Sequence, residues 1–316
     1  MGMDVTAPAK PRAKLFRRTE TPRRMELTER DLAMLAHLAR HRVLTSTQVA
    51  RLDGGSAQGV LRCLRALYDH QYVDRPRAQT AALLDQGPAP MAYALGKKGA
   101  RALREYGHLI NDRVDWTEKN KRAGDYFISH TIEIADFFVS LEVACRSREN
   151  IHIVREDQII AAAPLETRSA REPLRWEAVS VERGKRERWG AVPDGLFGLR
   201  FPDETAAYFL VECDRGTIPV NRSSRDHRSF RRKLQTYYDG WRAQRHLEQF
   251  GVKQMRVLTV TSSRERMHNM VGAVRSITEG RGSNFFLFLD RQTLAASDPL
   301  SVEWTTGKGE RVRLTD

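Results

Sequence analysis

Cysteine is scarce in this 316-residue chain: Cys63, Cys145 and Cys213 stand far apart, and no Cys-x-x-Cys pair occurs. Isolated cysteines exclude a disulfide framework and a zinc ribbon or finger. They fit a reducing, cytoplasmic setting. Long apolar runs are also missing, and no stretch approaches the ~18–20 residues that a membrane-spanning helix needs. The N-terminal residues are basic but lack the apolar core of a secretory signal. No repeat with a period of roughly 20–50 residues recurs.

Acids are the minority charge: 53 Lys plus Arg face 40 Asp plus Glu, a formal net charge of +13. Apolar residues at 41% and aromatics at 8% are enough for packed cores, so the chain is not wholly disordered. The length predicts about two domains. The basic excess points to a polyanion partner, nucleic acid first and an anionic membrane second. The absence of a basic amphipathic anchor weighs against the membrane.

Residues 1–24 hold seven Lys/Arg and two acids, with Pro8, Pro11 and Pro22. They read as a disordered basic arm, either a solvated tail or a phosphate-contacting one. Residues 25–107 read as a compact helical module. Thr28 and Asp31 suit a capping box, and Leu32, Leu35, Ala36, Leu38 and Ala39 form a helical stripe. Thr45 or Ser46 caps a short second helix, Asp53-Gly54-Gly55 is a turn, and Ser56 caps a third helix carrying Val60, Leu61, Leu64, Leu67 and Tyr68. Strands are expected at Tyr72-Val73 and Met91–Leu95 around a loop at Gln86–Pro88. A last helix follows Gly96–Gly99. This order is that of a winged helix-turn-helix, whose third helix enters the major groove. Ser56, Gln58, Arg62 and Arg65 are then the DNA-reaching candidates. Arg62 and Arg65 would equally suit an ordinary solvated face. Residues 108–124 read as a linker.

Residues 125–316 read as a mixed α/β domain, which makes the whole chain α+β. A long helix runs from Asp125 to about Arg146, with a core stripe at Phe127, Ile128, Thr131, Ile134, Ala135 and Phe138. Strands are expected at Ile151–Val154, Gln158–Ile160, Val192–Leu199, Tyr208–Asp214, Met255–Val260 and Phe285–Leu289. Residues 164–190, dense in both charge signs, read as an irregular insertion. Helices are expected from about Ser229 to Gln249 and near 264–279. Tyr237, Tyr238 and Trp241 could stack on unpaired bases, but their helical spacing favours core packing.

Acids fall at particular places in this order. Asp194 follows Pro193 at the start of one strand, and Glu212 and Asp214 end the next at i and i+2, which puts both on one sheet face. Three carboxylates on adjacent strands can hold Mg²⁺ or Mn²⁺, which takes oxygen ligands and keeps waters for a substrate phosphate. Asp-Gly at a turn and solvated acids at a strand end remain the plainer alternative. Basic residues surround these acids: Arg215, then Arg222, Arg225, Arg228, Arg231, Arg232 and Lys233, which could grip flanking phosphates.

The arrangement resembles the PD-(D/E)XK nuclease fold through Pro193-Asp194 and Glu212-Cys213-Asp214, with Glu133 on the preceding helix as an extra acid. The third motif position is Asp214 where that pattern has Lys. The resemblance implies that Lys233, on the following helix, replaces that lysine, with Gln235 a weaker supporting candidate. His130 could assist the site or serve as a satisfied structural residue. The whole layout also resembles the replication-relaxation family of bacterial plasmids and integrative elements. The segments that carry this are Leu27–Leu67, Tyr93-Ala94-Leu95-Gly96 with Gly99-Ala100, His130-Thr131-Ile132-Glu133, Val192–Gly195 and Val211–Thr217. The resemblance implies DNA binding in replication, relaxation or transfer of a mobile element, with or without metal-dependent cleavage. The alternative is a regulator or scaffold that recruits a relaxase or replication initiator. A homodimer is compatible with this, although no coiled-coil heptad argues for it.

Overall fold

A computed structural model of the chain describes residues 15–79, 89–107, 124–182, 185–220 and 229–316. The chain divides into two compact units, residues 1–135 and 136–316. The architecture is mixed α/β. Among the described residues, no helix is long and apolar enough to cross a membrane.

The first unit opens with α1 (Glu29–His41), started by a reciprocal box: the Thr28 N–H donates to Asp31 Oδ2 (3.0 Å) and the Asp31 N–H to Thr28 Oγ1 (3.2 Å). Then come β1 (Val43–Thr45), α2 (Ser46–Asp53), α3 (Ala57–Asp69), β2 (Val73–Asp74), β3 (Ala92–Leu95) and α4 (Lys97–Glu105). Thr45 caps α2 in a second box with Gln48. Gly54 takes φ +74°, the left-handed conformation that lets α2 stop and α3 restart. The three strands form an antiparallel sheet in the order β1-β3-β2. Strand β1 departs from the sequence reading, where Val43-Leu44 is a simple interruption; pairing with Ala92–Ala94 makes it a strand. The long helix α5 (Asp125–Arg146) begins in this unit, with Ile128 packed in a cluster with Val43, Ala92 and Ala94. Its stripe is shifted from the expected one, since Phe137 is buried and Phe127 is exposed.

The second unit is built on a seven-stranded sheet in the order β12-β11-β10-β9-β8-β7-β4. Its elements are β4 (His152–Arg155), α6 (Glu156–Ala162), α7 (Leu165–Ser169), β5 (Trp176–Glu182), β6 (Lys185–Ala191), β7 (Gly195–Arg200) and β8 (Ala206–Cys213). After these come α8 (Phe230–Arg242), α9 (Arg245–Phe250), β9 (Met255–Thr261), α10 (Arg264–Ile277), β10 (Phe286–Asp290), α11 (Arg291–Ala295), β11 (Trp304–Thr306) and β12 (Arg311–Val312). Strands β8, β9 and β10 run parallel, joined by helical crossovers; the outer pairs are antiparallel. The apolar runs Phe209–Val211, Val257-Leu258 and Phe286–Leu289 are buried, as expected for strands covered on both faces.

Two expectations are corrected. Gln158–Ile160 is helix, not strand, because Gln158 Oε1 accepts the Arg155 N–H (2.9 Å) and Glu156 and Asp157 supply an acidic first turn. Residues 164–190 are not irregular: they hold α7 and the β5–β6 hairpin. The hairpin is fixed to α8 by Trp176, whose indole N–H donates to the Thr236 carbonyl (3.2 Å). Gly240 leaves the room for it, since a Cβ there would lie 2.2 Å from Trp176 Nε1. The expected arm residues 1–14, the loop Gln86–Pro88 and linker residues 108–123 lie outside the described residues.

Candidate functional site

Strand register assembles the acids. Gly195 pairs with Val211 across β7 and β8, so Asp194, one step before β7, stands opposite Glu212. Directly opposed residues of an antiparallel pair share a face. The backbone fixes this corner: the Asp194 N–H donates to the Val211 carbonyl and the Cys213 N–H to Asp194 Oδ2, both at 2.8 Å. Gly195 is required for packing rather than for a turn, because a Cβ there would lie 2.6 Å from Phe138 Cζ.

Glu212 is 3% exposed, and both of its oxygens are engaged by α8. Lys233 Nζ donates to Oε2, and the Tyr237 hydroxyl donates to Oε1 (2.5 Å). The helical i,i+4 spacing puts Lys233 and Tyr237 on one face of α8, so one turn clamps one carboxylate. Burial pushes the Glu212 carboxyl up to about 7, against the pull of Lys233 and with a further push from Asp194. Burial pulls the Lys233 ammonium down, but the charges of Glu212, Asp194 and Asp214 outweigh it, and the net direction is up. Burial, reinforced by Glu212, raises the Tyr237 phenol well above its ordinary value.

Asp214 is turned to other work. Its Oδ2 accepts from Arg266 Nε (2.5 Å) and Thr261 Oγ1 (2.7 Å), and its Oδ1 from Arg266 Nη2 (2.8 Å). This is a buried, bidentate ion pair between β8 and α10. Among the described residues, Asp194, Glu212 and Asp214 do not form a three-carboxylate group with ligand atoms within 4.8 Å of one another. The structure therefore groups Asp194, Glu212 and Lys233, while Asp214 is taken up by Arg266 and Thr261.

His130 and Glu133 lie on the part of α5 that belongs to the first unit. Gln235 donates to Asp239 (2.9 Å) rather than to the acids. Arg232 stacks on Trp189 of the hairpin, 4.1 Å from the ring, and Arg231 is exposed. Arg215 is half-buried at the end of β8, while Arg222, Arg225 and Arg228 lie outside the described residues. Tyr238 and Trp241 pack with Phe285 in the core, the arrangement their spacing favours. The sequence reading missed the Tyr237 hydroxyl; an aromatic one helical turn after Lys233 was the available signal.

In the first unit, Gln58 and Arg62 are exposed on α3. Ser56 is committed to capping, its Oγ accepting the Gly59 N–H at 3.1 Å. Arg65 is held by Asp69 (2.8 Å), the Arg17 carbonyl and Thr19 Oγ1 (both 3.3 Å). Residues 15–24 are thus tied down along α3, where a loose arm is expected from composition.

A family model described as Replication-relaxation matches residues 35–254, well over half of the chain. Searches of curated proteins and of solved structures return no match. The matched span takes in α3 of the first unit and Asp194, Glu212 and Lys233 of the second, and on that match the chain belongs to the replication-relaxation family.

Proposed function

We propose that this chain is a DNA-binding protein of a mobile genetic element, acting in its replication, relaxation or transfer, and that its second unit hydrolyses a phosphodiester of DNA. The observation that carries the second half is the Lys233 ammonium on Glu212, with Asp194 opposite on the neighbouring strand. An acid pair with a lysine delivered from the next helix is the composition of a PD-(D/E)XK-like centre whose lysine has moved out of the strand.

The donors fit a hard divalent cation. Asp194 and Glu212 offer the oxygen donors such an ion takes, and Glu212 would share its oxygens, each with two lone pairs, between the ion and the Lys233 and Tyr237 donors they already accept from. These two residues would hold Mg²⁺ or Mn²⁺. Such an ion would supply water activation and charge neutralisation at the phosphate. The chain does the rest. Tyr237 fixes one oxygen of Glu212, so the carboxylate keeps one orientation. Lys233, its ammonium on Glu212 and its side chain still 30% exposed, would stabilise charge developing on a phosphate bound beside that carboxylate. The balance is hydrolytic: a water oxygen bonds to phosphorus, one P–O ester bond breaks, and the water's protons end on the leaving oxygen and in solvent.

The first unit supplies binding in this reading: α3 enters the major groove as the recognition helix of a winged helix-turn-helix, with Arg62 and Gln58 facing the duplex. The test is nicking or cutting of supercoiled plasmid DNA with Mg²⁺ or Mn²⁺. Asp194→Ala, Glu212→Ala and Lys233→Met should each abolish cleavage and leave DNA affinity nearly unchanged; cleavage persisting in the first two would refute the assignment. One observation favours a non-catalytic DNA-binding protein instead: Asp214 is locked to Arg266, leaving two acids at the centre. That reading predicts salt-sensitive DNA binding and no cleavage with any divalent metal.

A further inference from the structure

Between segment 19–26 and α3 lies an open cleft of about 780 Å³, lined by Thr21, Arg23, Arg24 and Met25 on one side and by Gln58, Leu61 and Arg62 on the other. One wall is a helix; the other is extended chain that composition alone assigns to a tail. The tail is anchored at several points. Arg18 donates to the Val73 carbonyl (3.3 Å) and to Asp74, and its guanidinium lies 4.2 Å from the Tyr68 ring. The Thr19 N–H and hydroxyl donate to the two oxygens of Asp69 at 2.9 and 3.0 Å. Arg65 bridges Asp69, the Arg17 carbonyl and Thr19, and His70 Nε2 meets the Arg23 carbonyl at 2.8 Å. Burial pushes the Asp69 carboxyl up, yet the Thr19 donors and Arg65 outweigh it, and the net shift is downward. The carboxylate is therefore a stable hub at neutral pH.

We propose that segment 19–26 and α3 form one composite groove for the sugar-phosphate backbone of duplex DNA, with Arg23 and Arg24 as phosphate contacts across from Arg62. This rests on the DNA-binding reading of the first unit and adds the second wall to it. Charge selects the occupant. Arg23 and Arg62 are exposed and ion-paired with no acid among the described residues. Arg24 meets Glu26 only at 3.8 Å in a pair that is about nine-tenths exposed, which water and salt screen. Arg65 and Asp69 neutralise each other, so Arg65 is a latch for the segment, not a phosphate contact. Thr21 and Gln58 add uncharged hydrogen-bonding groups of the kind that position a phosphate backbone.

The experiment is duplex DNA binding by the full chain, read by fluorescence anisotropy across a salt series. Each phosphate contact contributes about 0.9 to the log–log slope. Arg23→Ala with Arg24→Ala should lower the slope by nearly two, with an unchanged thermal melt because both side chains are exposed. Arg65→Ala should weaken binding through the same contacts, so adding it to the double variant should cost little more. An unchanged slope in the double variant, while Arg62→Ala still lowers it, overturns the composite groove and leaves the α3 reading intact. Tighter binding by the double variant overturns it in favour of a strap that covers α3. No loss from Arg62→Ala removes α3 as the reader, and the groove with it.

Discussion

Glu212 should make the metal-free protein less stable as the pH rises, and Glu212→Gln should remove that loss. The folded state holds the Glu212 proton more tightly than the unfolded chain does, since burial moves the carboxyl from 4.5 to about 7. Below 4.5 both states are protonated and the full stability is present. Through the window from 4.5 to about 7 the unfolded chain releases its proton first, so stability falls; above 7 the loss is complete. At about 1.4 kcal/mol per pH unit, the total is about 3 kcal/mol. The groups facing this carboxyl are Lys233 and Tyr237 from α8 and Asp194 from the β7 side, and the first two titrate far above the window. Glutamine keeps an acceptor for Tyr237 and nearly the same volume. Urea unfolding of both proteins in EDTA, repeated through the window, gives the difference directly. The wild type should lose about 3 kcal/mol relative to Glu212→Gln between the two ends. Parallel profiles would refute the placement of Glu212 as a buried, proton-retaining carboxyl. Adding Mg²⁺ above pH 7 should restore stability to the wild type and not to the variant, because metal binds the deprotonated ligand.

Other perturbations separate structure from chemistry. Gly240→Ala should destabilise the second unit by about 1–3 kcal/mol in urea, since the new methyl would overlap the Trp176 indole and loosen the β5–β6 hairpin from α8. Arg266→Ala should cost about 3–5 kcal/mol by leaving Asp214 buried without its partner. On the proposed hydrolytic reading, Asp214→Asn should lower the melting temperature and leave cleavage in place, whereas Asp194→Asn, which keeps an acceptor for the Cys213 N–H, should lose cleavage with little change in melting temperature. On the same reading, Asp214→Lys should fail to rescue cleavage in Lys233→Met, because it sets an ammonium against the Arg266 guanidinium.

What was legible in the sequence was what local chemistry dictates. The helices of the first unit announce themselves because Thr28 with Asp31, a cap at Thr45 or Ser46 and the Asp53-Gly54-Gly55 turn are signals within a few residues of one another. The order of strands around Asp194 and Glu212 was legible for a similar reason: buried apolar runs bounded by turns leave few alternatives. The misreadings depend on distant partners. Strand β1 exists because Ala92–Ala94 pairs with it, some fifty residues away. The hairpin at 176–191 exists because Trp176 finds a glycine sixty-four residues on. Charge density in that stretch reads as solvated loop, yet its alternation puts Trp176, Ala178 and Trp189 on one face and arginines on the other.

The same distinction explains why the acids at 212 and 214 do different work. A period of two gives both residues one face of β8, and that much follows from sequence. The face, however, is covered by two helices. Glu212 meets α8, which offers an ammonium and a phenol; Asp214, one residue past the end of β8, meets α10, which offers a guanidinium. Lysine and arginine are not equivalent here. The planar guanidinium matches the Asp214 carboxylate bidentately and becomes a structural lock, whereas the flexible lysine stem reaches Glu212 and stays partly exposed. An acid at position 214 is therefore the residue that α10 requires, and Lys233 on α8 keeps a cation beside Glu212 while Arg266 anchors the end of β8.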